Sequence, residues 1–106
     1  MKNSIKPDDF DPVIHERVRL AIVSALAVAP EMSFNELKAT LDLSDGNLSA
    51  HATSLQRAGY IEIAKTFKGR RPHTTMRLTP IGHQAFRGYI ETLRRIIDKG
   101  NNAMDE

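Results

Sequence analysis

Met32-Ser-Phe-Asn-Glu-Leu-Lys-Ala-Thr-Leu-Asp-Leu-Ser-Asp-Gly-Asn-Leu-Ser-Ala-His-Ala-Thr-Ser-Leu-Gln-Arg-Ala-Gly-Tyr60 is the stretch on which the fold turns. Ser33-Phe34-Asn35-Glu36 fits a capping box, in which the Ser33 and Glu36 side chains each satisfy a backbone N–H of a first helical turn. Met32 and Leu37 are spaced as the matching hydrophobic staple, and Phe34, Leu37 and Leu41 form one inward face. The helix is short and ends near Leu41. Asp42-Leu43 is a tight connection, after which Ser44 is a second N-cap with Leu43 and Leu48 as its staple. The helix it opens spans 44–58, and Gly59 supplies a left-handed C-terminal residue. Leu48 and Leu55, with Ala52 between them, mark its buried side. Two short helices meeting across a turn of about three residues make a helix-turn-helix arrangement.

Working outward, Asp11-Pro12 reads as a helix start, with Asp as N-cap and Pro at the first helical position. Ile14, Val18, Ala21, Ile22, Ala25, Leu26 and Val28 then recur at helical spacing until Pro30. Leu20 and Val23 lie off that stripe, so this helix is apolar on more than one side. Downstream the period changes to two. Tyr60-Ile61-Glu62-Ile63-Ala64-Lys65 and Thr74-Thr75-Met76-Arg77-Leu78 alternate as strands, with Thr66 to His73 as a solvated hairpin tip. Thr79-Pro80 repeats the cap-plus-proline start, and a long helix over about 80–99 is expected to stop at Gly100. Residues 1–10 read as a loose arm, 11–100 as one domain and 101–106 as a tail.

A chain of 106 residues, 41% of them apolar, builds one core and not two. The absence of cysteine excludes a disulfide scaffold, a thiolate zinc site and a cysteine nucleophile. No apolar run approaches the roughly 18 residues of a membrane span, and Met1 to Phe10 lacks a signal-peptide core, so a cytoplasmic protein is expected. The net charge of +2 is unevenly spread: residues 1–56 carry −3, residues 57–77 carry +5 and residues 78–106 carry none. Positive charge confined to 21 residues points to a local anionic partner. His15, His51, His73 and His83 are scattered, with no pair one helical turn apart, so neither a metal nor a cofactor is implied. No nucleophile–base pair, phosphate-cradling glycine loop or pair of carboxylates stands out, which argues against an enzyme.

The order helix, helix, turn, helix, hairpin, helix is that of a winged helix domain, mainly α with a small β-hairpin. Four segments carry a more specific likeness: Met32 to Leu41, Leu43 to Tyr60, Phe67-Lys-Gly-Arg-Arg-Pro-His-Thr74 and Leu78-Thr-Pro-Ile-Gly82. Over roughly residues 12 to 99 the chain resembles small winged helix transcriptional regulators of the MarR/ArsR type, closest to the compact branch that is little more than the DNA-binding domain. The resemblance implies a cytoplasmic homodimer on double-stranded operator DNA, its third helix in the major groove and its wing at the flanking minor groove. The chain departs from the metal-sensing members in lacking their cysteines.

The residues define the same surface independently. With Leu48 and Leu55 inward, Gly46, Ala50, Thr53 and Arg57 point outward, flanked by Asn47, Ser49 and Ser54. Small residues let a helix sit deep in the major groove, where Asn47 can pair with adenine and the Ala50 methyl can meet thymine. Ser44 and the free N–H groups of the first turn suit a phosphate, whereas Asp45 is unfavourable there. On the hairpin, Lys65, Lys68, Arg70 and Arg71 lie within seven residues, and Lys65 and, on the second strand, Arg77 could reach backbone phosphates. Arginine is favoured in a narrow minor groove. An ordinary solvated helix face and a merely solubilising loop are the bland alternatives.

The last helix carries Ile81, Ala85, Phe86, Tyr89, Ile90, Leu93, Ile96 and Ile97, more apolar stripe than one small domain covers. Phe86, Tyr89, Ile90, Leu93, Ile96 and Ile97, with Val18 and Ile22 of the first helix, are therefore expected at a homodimer interface. The expected function is a DNA-binding repressor. Its rivals are a winged helix serving as a protein-interaction module and a regulator gated by a small-molecule effector in the dimer crevice.

Overall fold

The computed structural model describes residues 4–105; Met1 to Asn3 and Glu106, the outer ends of the expected arm and tail, lie outside the described residues. The elements run α1 (Arg17–Val28), β1 (Met32–Ser33), α2 (Phe34–Leu41), α3 (Asp45–Arg57), β2 (Ile61–Lys68), β3 (Arg71–Leu78) and α4 (Pro80–Asp105), preceded by a 3-10 turn at Pro7–Asp9. This is the winged helix order expected from the sequence.

The local signals around the two short helices hold. The Ser33 hydroxyl accepts the Glu36 N–H at 3.0 Å and the Glu36 carboxylate accepts the Ser33 N–H at 3.0 Å. That backbone bond, with the Ser33 hydroxyl, holds the Glu36 carboxyl below its ordinary value. Ser44 caps α3 by accepting the Asn47 N–H at 3.1 Å. Between the helices Asp42 takes a left-handed φ of 54°, a conformation that short Asp side chains tolerate, and this turns the chain.

One core joins all layers. Val18, Ile22, Val23 and Leu26 of α1 pack with Leu37 of α2, with Leu48, Ala52 and Leu55 of α3, and with Ile61, Met76 and Leu78 of the sheet. β2 and β3 pair antiparallel from Ile61↔Leu78 to Lys68↔Arg71, so both strands run to the tip and only Gly69-Arg70 turns. Gly69 adopts a φ of +64°, as a two-residue hairpin turn requires at its first position. The expected eight-residue loop is thus mostly strand, with Pro72 opposite Phe67. β1 adds a third strand on β3 through Met32↔Met76 and Ser33↔Thr75.

Four further expectations are corrected. α1 begins at Arg17 and not after Asp11, with Glu16 as its N-cap. Asp11 does accept the Val13 N–H at 2.8 Å, but it closes only a turn. Tertiary packing overrides the local signal there. Ile14 is fully buried, and His15 stacks on Phe10 with ring centroids 4.7 Å apart and bonds the Tyr89 hydroxyl through Nδ1 at 2.8 Å. Tyr60 also donates its hydroxyl to Asp11; the bond, helped by burial, pushes the phenol up to about 12.

Residues 4–10 are not a loose arm. Thr92 donates to the Asp9 carbonyl, and the Arg95 guanidinium reaches Asp9 at 3.6 Å and the Ser4 carbonyl at 3.1 Å. Residues 101–105 are not a tail either: α4 continues past Gly100 to Asp105. A glycine inside a helix costs only about 1 kcal/mol, too little to stop one. Finally, Val18, Ile22 and Tyr89 are buried within the chain and offer a partner no surface. They cover the core and the N-terminal segment.

Gly82 fixes where α4 starts. A Cβ there would lie 2.1 Å from the Tyr60 carbonyl oxygen, so no other residue lets α4 approach this closely. Thr79 secures the junction by donating to the Gly59 carbonyl at 2.6 Å and capping the Gly82 N–H at 3.0 Å.

Candidate nucleic-acid interface

α3 is held by one edge. Leu48, Ala52 and Leu55 are buried, while Ser44, Gly46, Asn47, Ser49, Ala50, Thr53 and Arg57 are exposed and Ser54 is half-buried. The exposed face is small and polar along most of its length, with Arg57 at its far end. Thr53 and Ser54 donate their hydroxyls to the Ser49 and Ala50 carbonyls, at 2.8 and 3.3 Å, and keep their lone pairs for an external donor. His51, at the edge, is a packing residue: its Nδ1 lies 3.2 Å from Arg19 and 3.4 Å from Glu16.

Asp45, the one carboxylate on the first turn, lies 2.8 Å from the Lys38 ammonium. An exposed pair of this kind adds little stability, but it offsets the charge that would otherwise repel a phosphate.

The hairpin divides into a root and a tip. At the root Arg77 lies opposite Glu62, and its Nε and Nη2 both reach Glu62 Oε2 at 2.6 Å. Opposed opposite charges on antiparallel strands favour each other. Arg77, expected from the sequence to reach phosphate, is paired with Glu62 within the sheet and stays exposed. At the tip, Lys65, Lys68, Arg70 and Arg71 are exposed, and among the described residues none makes an ion pair.

Register decides which way these side chains face. Ile61 and Ile63 turn toward the helices, so alternation puts Lys65 and Phe67 on that same face and Lys68 on the other. An open groove of about 350 Å³ agrees with this placement, since Lys65, Thr74 and Ile63 line it from the sheet and Ser49, Ala52 and Thr53 from α3. Helix and hairpin therefore flank one channel whose accessible polar groups are hydroxyls and an ammonium. Sequence reasoning misses Thr74 and Phe67; the alternation Ile61, Ile63, Lys65, Phe67 is the signal that could have found Phe67. Among the described residues no cluster of His, Asp and Glu could hold a metal ion, and no helix is long and apolar enough to cross a membrane.

Residues 18–97 match a family model described as a winged helix DNA-binding domain. An uncharacterized protein of Methanocaldococcus jannaschii is 35% identical over 78 residues, which is 74% of this chain and 85% of that one. Among solved structures, a transcriptional regulator homologue from Pyrococcus horikoshii OT3 aligns with a TM-score of 0.77 at 29% identity, covering 82% of this chain and 86% of its own. HlyU from Vibrio cholerae N16961 aligns with a TM-score of 0.58 at 25% identity, over 79% and 83%. With a match spanning most of its length, the chain belongs to the winged helix DNA-binding domain family.

Proposed function

We propose that the chain is a cytoplasmic homodimeric repressor of sequence-specific type, which seats α3 in the major groove of double-stranded DNA and the β2–β3 wing at the flanking minor groove. The observation that carries this reading is that Lys65, Lys68, Arg70 and Arg71 make no ion pair among the described residues and lie beside a helix whose outer face is small and polar. Repression follows most simply, because occluding a promoter requires binding alone.

The homodimer is supported by α4. Phe86, Ile90, Leu93, Ile97 and Met104 recur at the 3.5-residue period of a coiled-coil seam. Ile97 is 58% and Met104 85% exposed, so the seam is uncovered beyond its first turns. The adjoining side of α4, through Tyr89, Thr92 and Arg95, is occupied by the chain's own N-terminal segment. To read a palindromic site, such a twofold dimer has to repeat α3 at about 34 Å, one turn of the duplex.

The test is to select duplexes from a random library and titrate the protein onto them at several salt concentrations. Log K is expected to fall with log salt by about 0.9 per phosphate neutralised. Arg70→Ala with Arg71→Ala is expected to weaken binding and flatten that slope by about one unit for each phosphate no longer engaged. No selected duplex, or a double variant with unchanged affinity and slope, overturns the reading in favour of a protein-interaction module.

A further inference from the structure

Phe67 is an aromatic side chain 73% exposed near the tip of the hairpin. Single exposed apolar residues are ordinary; the surroundings of this one are not. It pairs across the strands with Pro72, also exposed, so two apolar side chains sit side by side on one face. That face is the one that carries Ile63 and Lys65 toward α3. Four residues beyond Ile63, at about 3.3 Å per residue, Phe67 stands roughly 13 Å out along the ribbon. Lys68 and Arg71, directly opposite each other, occupy the reverse face, and Arg70 sits in the turn.

We propose that Phe67, backed by Pro72, is an apolar wedge that enters the minor groove and partly unstacks a base step, so that the protein recognises DNA by its deformability as well as by its base edges. The inference rests on the DNA-binding reading above. The groove between α3 and the sheet presents Lys65, Thr74, Ser49 and Thr53 to a backbone ridge running through it. With α3 on the major-groove side of that ridge, the next side chain out along the same face falls on its minor-groove side, and that side chain is Phe67. The cations on the reverse face and in the turn then meet the phosphates of the far wall. A partner with this alternation of apolar and anionic surface is a stacked duplex. Apolar side chains of this kind kink DNA by unstacking a step, and pyrimidine–purine steps yield most easily.

Wild-type protein and Phe67→Ala are titrated onto a duplex that the wild type selects from a random library. The bend is read by energy transfer between dyes at the duplex ends. Phe67→Ala is expected to bind roughly tenfold more weakly and to bend the duplex less. The slope of log K against log salt should stay unchanged, because no charge is removed. Phe67→Leu, which can still wedge, should recover part of both. The side chain is solvent-exposed, so matching thermal melts are expected and would exclude a folding defect. Wild-type affinity and bend in Phe67→Ala overturn the wedge while leaving DNA binding intact. A wild type that selects no duplex overturns both. A Phe67→Ala protein of lower mass in sedimentation, with unchanged DNA affinity, assigns the patch to a second copy of the chain and also overturns it.

Discussion

α3 and α4 are both amphipathic helices with one uncovered face, and the two faces are opposite in kind. α3 exposes Gly46, Ala50 and Thr53, whereas α4 leaves Ile96, Ile97 and Met104 in solvent. Their attachments differ as well. α3 is fixed along most of its length by Leu48, Ala52 and Leu55, so its outer face is held rigidly. α4 is anchored near its start by Gly82 and Phe86 and then by Tyr89, Thr92 and Arg95, and residues 96–104 are exposed. A helix seated by its whole inner edge with a small polar outer face is suited to enter a groove of fixed shape. A helix that leaves its domain with an apolar stripe is suited to meet its own copy.

The largest expected effect lies on the inner edge of α3. Leu48 is fully buried in the shared core, and Leu48→Ala is expected to cost about 2–5 kcal/mol through reduced burial and the cavity left behind. Ala50→Ser, two residues along on the outer face, should stay within about 0.5 kcal/mol. Urea unfolding of the two variants measures the contrast. Equal midpoints would break the distinction between a seated edge and a free face.

Next in size is the seam of α4. Leu93 and Ile97 lie outside the buried core, so Leu93→Asp with Ile97→Asp should leave the domain folded by circular dichroism. Its mass in sedimentation should fall to that of a monomer, and affinity for a palindromic duplex should drop roughly 100-fold as the two half-sites lose their linkage. A variant that still sediments as the wild type would remove α4 as the dimer interface.

The same contrast explains what can be read without a structure. The α3 face is legible because its determinants are local: Ser33, Glu36 and Ser44 bond within their own first turns, and Leu48, Ala52 and Leu55 mark the inner edge by spacing alone. The division of α4 is not, because Tyr89 and Leu93 look alike in a sequence. Only the fold brings Phe10 and His15 onto Tyr89 and leaves Leu93 half-exposed. β1 escapes for a similar reason, since two residues are a strand only by virtue of Met76 and Thr75 on β3. Asp11 and Gly100 give valid local signals for a helix start and a helix stop, and longer-range packing and a modest glycine cost respectively outweigh them. The pairing of Arg77 with Glu62 follows from a register that the turn at Gly69 sets, and spacing alone places that turn too broadly for the register to be drawn.

The smallest effect concerns the tie between α3 and the start of α1. Glu16 caps α1 by accepting the Val18 and Arg19 N–H groups, and the same carboxylate lies 3.4 Å from His51 on α3. Burial pushes this carboxyl up, but the Arg19 and Val18 N–H groups and the charges of His51 and Arg19 outweigh it, and the net direction is down from the ordinary 4.5. A carboxylate whose folded value is depressed stabilises the fold above its unfolded value, and that contribution is lost as pH falls through the folded one. Glu16→Gln should therefore melt a few degrees below the wild type at pH 7, in line with loss of about 1 kcal/mol of capping, and the gap should close as pH drops below about 4.5. Melting curves of both proteins from pH 7 to pH 3 read this directly. A gap that stays constant over that range would mean that shape, not charge, ties α1 to α3, and the seating of α3 would then rest on Leu48, Ala52 and Leu55 alone.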